Sequence, residues 1–155
     1  MADETADNRE AQLKAAYIFN FVKFVEWLAR PPTDAIRVCF SGAPSVHGAL
    51  AAATVDKEVS GRRIAVRSLG RGEPMDECEV LYIDGESAAI EHVPVRVLTI
   101  GDAKDFTRGG GVIQLYTESN RLRFVVNVDN AKRAGLQVSS HLLKLATRVE
   151  QELTP

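Results

Sequence analysis

The sequence predicts an α/β fold: a single-domain three-layer α/β/α sandwich around a mixed, mostly parallel sheet, completed by a C-terminal antiparallel hairpin plus helix. Two observations support this prediction. Between residues 36 and 102, short apolar runs that end at Gly or Asp alternate with helical patterns, which is typical of parallel strands covered by helices on both faces. Nearer the C-terminus, two runs of alternating polar and apolar residues flank a polar turn, the pattern of a hairpin.

The first predicted element is a helix between Arg9 and Leu28. Apolar side chains recur there at three- and four-residue steps, and Pro31-Pro32 follows as a stop. Further apolar residues lie off the main stripe, so this helix is either buried on two sides or available to a partner, including a second copy in a homodimer. Residues 1–8 are acidic and polar, and we expect a disordered segment there, ahead of one domain spanning residues 9–155.

The middle of the chain supplies the parallel strands. We predict strands at 36–41, 63–68, 80–83 and 95–100, with helices at 44–53 and 87–92. The run 80–83 contains no charged residue and is bounded by turn signals, which suits a central strand covered on both faces.

The C-terminal part is predicted as a hairpin at one edge of the sheet, with strands at 112–116 and 122–128. Asp129 or Asn130 is expected to cap a short helix that stops at Gly135. Ser139 or Ser140 then caps a final amphipathic helix. The predicted core face of that helix consists of Leu142, Leu145 or Ala146, Val149 and Leu153.

Composition excludes several classes of protein. The chain has 155 residues, of which 45% are hydrophobic, enough for one domain with a sizeable core. Its 19 Lys and Arg are set against 21 Asp and Glu without a long basic run, which argues against a nucleic-acid partner. No apolar stretch approaches the roughly 20 residues that cross a bilayer. The polar start fits a cytosolic protein or a mature exported protein whose signal peptide has been removed, and the start alone does not choose between them.

Two acids are the best candidates for chemistry. Asp84 and Asp102 follow neighbouring buried strands, where paired carboxylates could bind Mg²⁺ in a metal-assisted enzyme. The plainer interpretation, which we favour, is that each Asp starts a turn or caps the next helix.

Other features that could carry chemistry have plain structural explanations. His47, His92 and His141 lie on separate segments without the spacing of metal ligands. The glycine run 109–111 lacks the Gly-Lys-Ser/Thr ending of a phosphate loop and precedes a predicted strand. We therefore predict no catalytic residue, no metal and no cofactor.

The two cysteines leave a choice open. Cys39 lies late in a predicted strand, and Cys78 lies just before the next core strand. In the cytosol they would be buried thiols, whereas in an exported protein an even count suggests a disulfide, which would stabilise the fold by about 4 kcal/mol. With matched strand ends the two residues would be offset by several positions, so a disulfide needs a shifted register or a bent entry to the strand.

Three stretches together resemble one family, the YfiR-type periplasmic proteins. They are residues 15–27 (AAYIFNFVKFVEW), residues 106–113 (FTRGGGVI), and residues 123–128 (RFVVNV) running on to 134–146 (AGLQVSSHLLKLA). Their order and spacing carry the resemblance, which covers nearly the whole chain.

This resemblance implies a location and a function. Members are exported, and the best-studied type represses an inner-membrane diguanylate cyclase by contacting its periplasmic part. That repressor is in turn sequestered by an outer-membrane lipoprotein, so cyclic-di-GMP output and biofilm formation are controlled from the periplasm. The resemblance also implies that Cys39 and Cys78 form the family's structural disulfide. The chain lacks a second cysteine pair, which puts in doubt any redox sensing that depends on one.

Four residues are candidates for contact with a partner or ligand. Lys23, Arg123 and Asn127 could line a groove for an anionic ligand or for the acidic residues of a partner. For Asn127 we prefer a hydrogen bond to the turn that follows it. Trp27 is either a partly exposed anchor for a partner or a cover for the sheet edge. A binding protein without catalysis is the favoured function, and a periplasmic small-molecule sensor, with its pocket at the carboxyl ends of the strands, is the alternative.

Overall fold

A computed structural model describes residues 2–28, 33–70, 72–85 and 96–151. The elements in chain order are α1 (Ala2–Lys23), β1 (Val25–Trp27), β2 (Ala35–Ser41), α2 (Pro44–Ala53), β3 (Glu58–Val59), β4 (Arg62–Ser68), a 3-10 turn (Met75–Glu77), β5 (Val80–Ile83), β6 (Leu98–Gly101), β7 (Ile113–Glu118), β8 (Arg121–Asn127), α3 (Val128–Arg133), β9 (Leu136–Val138), α4 (Ser140–Leu145) and β10 (Arg148–Glu150). The helix predicted at 87–92 and the Pro31-Pro32 stop lie outside the described residues.

The main sheet has the strand order β10-β8-β7-β6-β5-β2-β4-β3. Neighbouring strands are parallel except in the pairs β7–β8 and β3–β4. A separate antiparallel pair is formed by β1 and β9. The α/β class, the mixed and mostly parallel sheet, and the antiparallel hairpin are therefore confirmed. The hairpin's predicted place at the edge is wrong, because β10 pairs with β8 on its outer side.

The side chains of the central strands contribute to two hydrophobic cores, because successive side chains point to opposite faces of a sheet. On one face Val80 and Tyr82 join a large core, to which each of the four helices named above contributes. On the other face Leu81 and Ile83 join a smaller core around the cysteines. In the described ranges this smaller core is closed by loops, which hold Val97 and Phe106, and by the 3-10 turn, which holds Met75, and not by an α-helix.

The first helix differs from its prediction at both ends. It ends at Lys23, and the residues that follow form β1, which pairs Val25 with Val138 and Trp27 with Leu136. The periodicity runs on into β1, but β-branched and aromatic side chains favour a strand once a partner strand is available. The helix begins at Ala2, inside the segment 1–8 for which the sequence predicts disorder.

The final helix is much shorter than predicted. It ends at Leu145, and Val149 lies on the edge strand β10. Leu142 is buried, but Leu145 is 58% exposed and Val149 is 40% exposed, so the predicted core face is wrong for these two. The reason is tertiary, since β8 offers main-chain partners to the segment that follows.

Helices α3 and α4 are each capped by the side chain of the residue just before them. The Ser139 side chain accepts a hydrogen bond from the His141 N–H, as expected of a capping serine. The cap of α3 is Asn127 and not Asp129 or Asn130, because the Asn127 side chain accepts from the Asn130 N–H at 2.9 Å. This is the bond to the following turn that the sequence predicts for Asn127.

A disulfide joins Cys39 and Cys78, whose Cα atoms lie 5.9 Å apart. The register pairs Cys39 with Leu81, so Cys78 lies three positions before the direct neighbour of Cys39. The 3-10 turn immediately before Cys78 provides the bent entry that the disulfide requires. Both cysteines are fully buried in the smaller core.

Candidate functional site

A cleft of about 480 Å³ lies at the amino ends of the parallel strands, and we call it the amino-edge cleft. One wall comes from the end of α1 and from β1, with Lys23, Trp27 and Leu28. The facing wall comes from the start of the β3–β4 segment, with Val59 and Arg62. Two of the four predicted contact residues, Lys23 and Trp27, therefore lie together in one concave surface.

The indole of Trp27 forms part of the cleft wall. Its Nε1–H donates a hydrogen bond of 2.9 Å to the main-chain oxygen of Glu79, and the side chain is half-buried. Next to it, Leu28 is 63% exposed. The hydrogen bond fixes the indole ring against the residue before β5, and the ring also lines the cleft. A role of Trp27 as an anchor stays a prediction.

A buried ion pair supports the cleft from below. The Arg62 Nη2 lies 2.6 Å from the Glu79 Oε2, and Glu79 is only 1% exposed. Arg62 also donates to the main-chain oxygens of Thr33 and Ala35, which ties the segment before β2 to β4. A carboxylate at this depth requires such a cation, because removing it from water is otherwise very unfavourable. Sequence reasoning missed this pair, although a Glu directly before a wholly apolar strand was a signal for it.

Lys23 contributes a positive charge to the same cleft. Its Nζ lies 5.0 Å from the ring centre of Phe19 and 5.8 Å from that of Phe24, within reach of cation–π attraction. The exposed Glu26 places a negative charge nearby. The cleft thus combines an aromatic ring, exposed aliphatic surface and charges of both signs, a composition that suits contact with a protein.

Arg123 lies in a different concavity, the hairpin groove, of about 420 Å³. Its Nε lies 3.4 Å from the Glu118 Oε1 but forms no hydrogen bond within the described part of the chain. The groove has an apolar floor that includes Tyr17 and Phe124, and the exposed Leu13 and Leu145 lie at its sides.

Asn127 lines a third hollow, of about 210 Å³, together with Arg108, Asp129 and Arg133. Its side chain is engaged in the cap of α3. The structure therefore places Lys23, Arg123 and Asn127 in three separate surfaces, and the single groove predicted for them is not formed. The predicted sharing of one strand face by Arg123 and Asn127 does hold, because both lie on β8 four residues apart.

Asp84 and Asp102 do meet, at the carboxyl ends of β5 and β6. Their side chains lie close enough for the carboxyl group of Asp102 to favour the protonated form of Asp84. Asp102 also accepts from the Tyr82 hydroxyl at 2.9 Å and from the Gly85 N–H at 2.7 Å, and the Lys14 Nζ lies 3.9 Å away.

The surroundings of Asp84 favour its protonated form. Partial burial, followed by the negative charge of Asp102, raises the pKa of Asp84. Burial also raises the pKa of Tyr82, so its hydroxyl stays a donor to Asp102. Asp84 accepts a hydrogen bond from the main-chain N–H of Ala43, and Asp102 accepts one from that of Gly85. Both bonds fit the turn-forming role that the sequence favours.

Metal-ligand residues are not gathered in the described ranges, which contain no cluster of three or more His, Cys, Asp or Glu side chains suited to a metal ion. His47 stacks on Phe40, and His141 packs against Phe24, while His92 lies outside the described residues. None of the helices described has both the length and the apolarity to span a membrane. The amino-edge cleft also lies at the opposite strand ends from the pocket that the small-molecule sensor alternative expects.

Comparison with known proteins adds one finding at the level of the family. A protein-family model described as YfiR/HmsC-like matches residues 11–147 of the chain. The matched range begins within α1 and ends just before β10, so it contains the residues of the amino-edge cleft. Among curated proteins, none matches the chain at a significant level.

Proposed function

This chain belongs to the YfiR/HmsC-like family, and we propose that it represses an inner-membrane diguanylate cyclase from the periplasm through protein–protein contacts. The family match carries this proposal, and it confirms the resemblance inferred from the sequence. At the level of the family, the match supports a periplasmic regulator of a diguanylate cyclase. Repression would lower cyclic-di-GMP output and hence biofilm formation.

The disulfide supports the periplasm as the place of action. Disulfides persist in oxidising compartments and are rare in the cytosol. The Cys39–Cys78 bond lies in the smaller core, where both sulfur atoms are shielded from solvent. A buried structural bond of this kind fits a protein that folds after export.

We propose the amino-edge cleft as the surface that contacts the periplasmic part of the cyclase. Interfaces concentrate binding energy in a few aromatic and charged residues around a concave centre. Trp27 supplies a ring held by its hydrogen bond to Glu79, Leu28 supplies exposed aliphatic area, and Lys23 supplies a charge. Two further contacts complete the proposal: an outer-membrane lipoprotein that sequesters the protein, and a second copy of the chain.

The test is direct binding between purified proteins. The periplasmic part of a diguanylate cyclase encoded next to this chain should bind it in isothermal titration calorimetry. Lys23→Glu should weaken that binding at least tenfold, because it reverses a charge in the cleft. Lys132→Glu is the matched control, since Lys132 is an exposed lysine on α3 that does not line the cleft.

Both outcomes of this test are informative. Equal affinities of the Lys23→Glu and Lys132→Glu variants would place the interface elsewhere on the molecule. No binding by the unmodified chain, together with unchanged cyclic-di-GMP levels in cells that lack it, would refute the proposed function.

A further inference from the structure

Strand β1 has one side that pairs with β9 and one side without a partner strand among the described residues. The pairing is antiparallel and is bracketed by two main-chain hydrogen bonds. The Leu28 N–H donates to the Gly135 oxygen just after β1, and the Ser139 N–H donates to the Phe24 oxygen just before it. Residues 24 and 28 therefore both bond toward β9.

The main-chain groups of Val25 and Trp27 point away from β9. Residues of an antiparallel strand bond alternately to one side and to the other, so the odd-numbered residues between Phe24 and Leu28 turn their N–H and C=O outward. The amino-edge cleft is on that outward side, because Val25 and Trp27 line it and none of the three residues of β9 does. The cleft thus presents a short strand edge next to the Trp27 indole.

A strand edge inside a cleft is a site for an extended peptide segment. Main-chain N–H and C=O groups need hydrogen-bond partners, and an added strand supplies them in the alternating order in which Val25 and Trp27 present them. Strand addition is a recurrent mode of protein recognition, in which the main chain gives affinity and the side chains give specificity. The cleft of about 480 Å³ leaves room for such a segment between β1 and the wall formed by Val59 and Arg62.

The side chains of β1 specify the chemistry of the added segment. Val25 and Trp27 point to one face of β1 and Glu26 points to the other, because side chains alternate along a strand. Glu26 is exposed and forms no ion pair within the described part of the chain, whereas Trp27, with the exposed Leu28 beside it, offers apolar surface. Unlike charges opposite each other stabilise a strand pair. The segment that fits therefore carries a Lys or Arg opposite Glu26, with an apolar residue on each side of it.

We propose that the cyclase's periplasmic part docks by adding an extended segment to β1, with the pattern apolar–basic–apolar opposite Val25, Glu26 and Trp27. The antiparallel pair of β1 and β9 then becomes a three-stranded sheet, and the added strand fills the cleft beside the Trp27 indole. This inference rests on the proposed function and names the kind of contact made in the cleft.

The test is amide hydrogen exchange, followed by nuclear magnetic resonance on the isotope-labelled chain, alone and in complex with the purified periplasmic part of the neighbouring cyclase. In the free chain the Val25 and Trp27 amides should exchange faster than those of Glu26 and Leu28, which bond toward β9. In the complex we expect the exchange of Val25 and Trp27 to slow by roughly tenfold or more. Nuclear Overhauser contacts from the same two amides to Cα protons of the partner should appear, which an interface made by side chains alone does not produce.

Charge reversal at Glu26 tests the basic residue of the added segment. Glu26→Lys should raise the dissociation constant of the complex by about tenfold, because it places like charges opposite each other. Asp56→Lys is the matched control, since Asp56 is an exposed acid that does not line the cleft, and it should bind like the unmodified chain. Melting curves verify that both variants are folded.

The outcomes separate strand addition from the proposed function. A complex in which the Val25 and Trp27 amides exchange as fast as in the free chain overturns strand addition but not the proposed function. A Glu26→Lys variant that binds as tightly as Asp56→Lys overturns the apolar–basic–apolar pattern. No complex at all refutes the proposed function and strand addition together.

Discussion

Asp84 illustrates how the chemistry of one residue depends on what the fold places beside it. In the sequence, Asp84 and Asp102 are two acids after two strands, and either a metal site or turn formation could explain them. In the structure each carboxyl group accepts a hydrogen bond from a main-chain N–H. Turn formation accounts for these hydrogen bonds, which is the interpretation that the sequence favours.

The raised pKa of Asp84 predicts a stability that depends on pH. The folded chain holds the proton of the Asp84 carboxyl group more tightly than the unfolded chain does, because in the unfolded chain the pKa of Asp84 is near the ordinary 3.8. The ionised form is therefore disfavoured by folding, and stability is lost as the pH rises from about that value through the folded pKa. Asp84→Asn keeps a donor for Asp102 and an acceptor for the Ala43 N–H but carries no charge.

We expect Asp84→Asn to melt at a higher temperature than the unmodified chain at pH 7, and the difference to shrink as the pH falls toward 4. Thermal unfolding followed by circular dichroism across this range measures it. Asp56→Asn, at an exposed aspartate after α2, should show no such trend. A difference that is constant with pH would mean that folding does not raise the pKa of Asp84.

Residues that act locally were the most predictable from sequence. Asn127 was expected to bond the following turn and does so, because its partner is only three residues away. The ion pair between Arg62 and Glu79 was not predicted, since Arg62 begins β4, Glu79 precedes β5, and the two side chains meet only in the folded chain. The same limit explains why Lys23 and Arg123 were expected in one groove and lie in two: strand order decides which surface each one joins.

At the scale of elements, the errors fall where tertiary pairing overrides local periodicity. Residues 24–28 and 146–150 continue helical patterns, yet β1 pairs with β9 and β10 pairs with β8. The central strands were predictable because a wholly apolar run of four residues is typical of a strand that is buried on both faces of a sheet. Helices α1 and α4 are correspondingly shorter at their C-terminal ends than their apolar patterns suggest.

The disulfide is an element-scale constraint, because it ties β2 to the turn before β5. Its ends are 39 residues apart in sequence, and closing such a loop restricts the unfolded chain. We expect the Cys39→Ala/Cys78→Ala variant to lose about 4 kcal/mol of unfolding free energy. Urea unfolding measures this, and the unmodified chain unfolded in a reducing agent should give a similar value. Equal midpoints for the oxidised and reduced chains would show that the bond does not constrain the unfolded state.

At the scale of the whole molecule, the amino-edge cleft and the acid pair lie at opposite ends of the same central strands. Glu79 lines the cleft directly before β5, and Asp84 follows β5 directly. At about 3.3 Å per residue, the five residues from one to the other span roughly 16 Å. The cleft and the acid pair share no residue.

This separation predicts that cyclase binding and the titration of Asp84 are energetically independent, because sites this far apart without common partners usually contribute additively. Asp84→Asn should therefore change the melting temperature at pH 7 but bind the cyclase's periplasmic part with the affinity of the unmodified chain, whereas Lys23→Glu should weaken binding. Calorimetry measures the affinity, and circular dichroism measures the melting temperature. If Asp84→Asn changes the affinity of the cleft, the two ends of β5 are coupled and repression itself would depend on the protonation of Asp84.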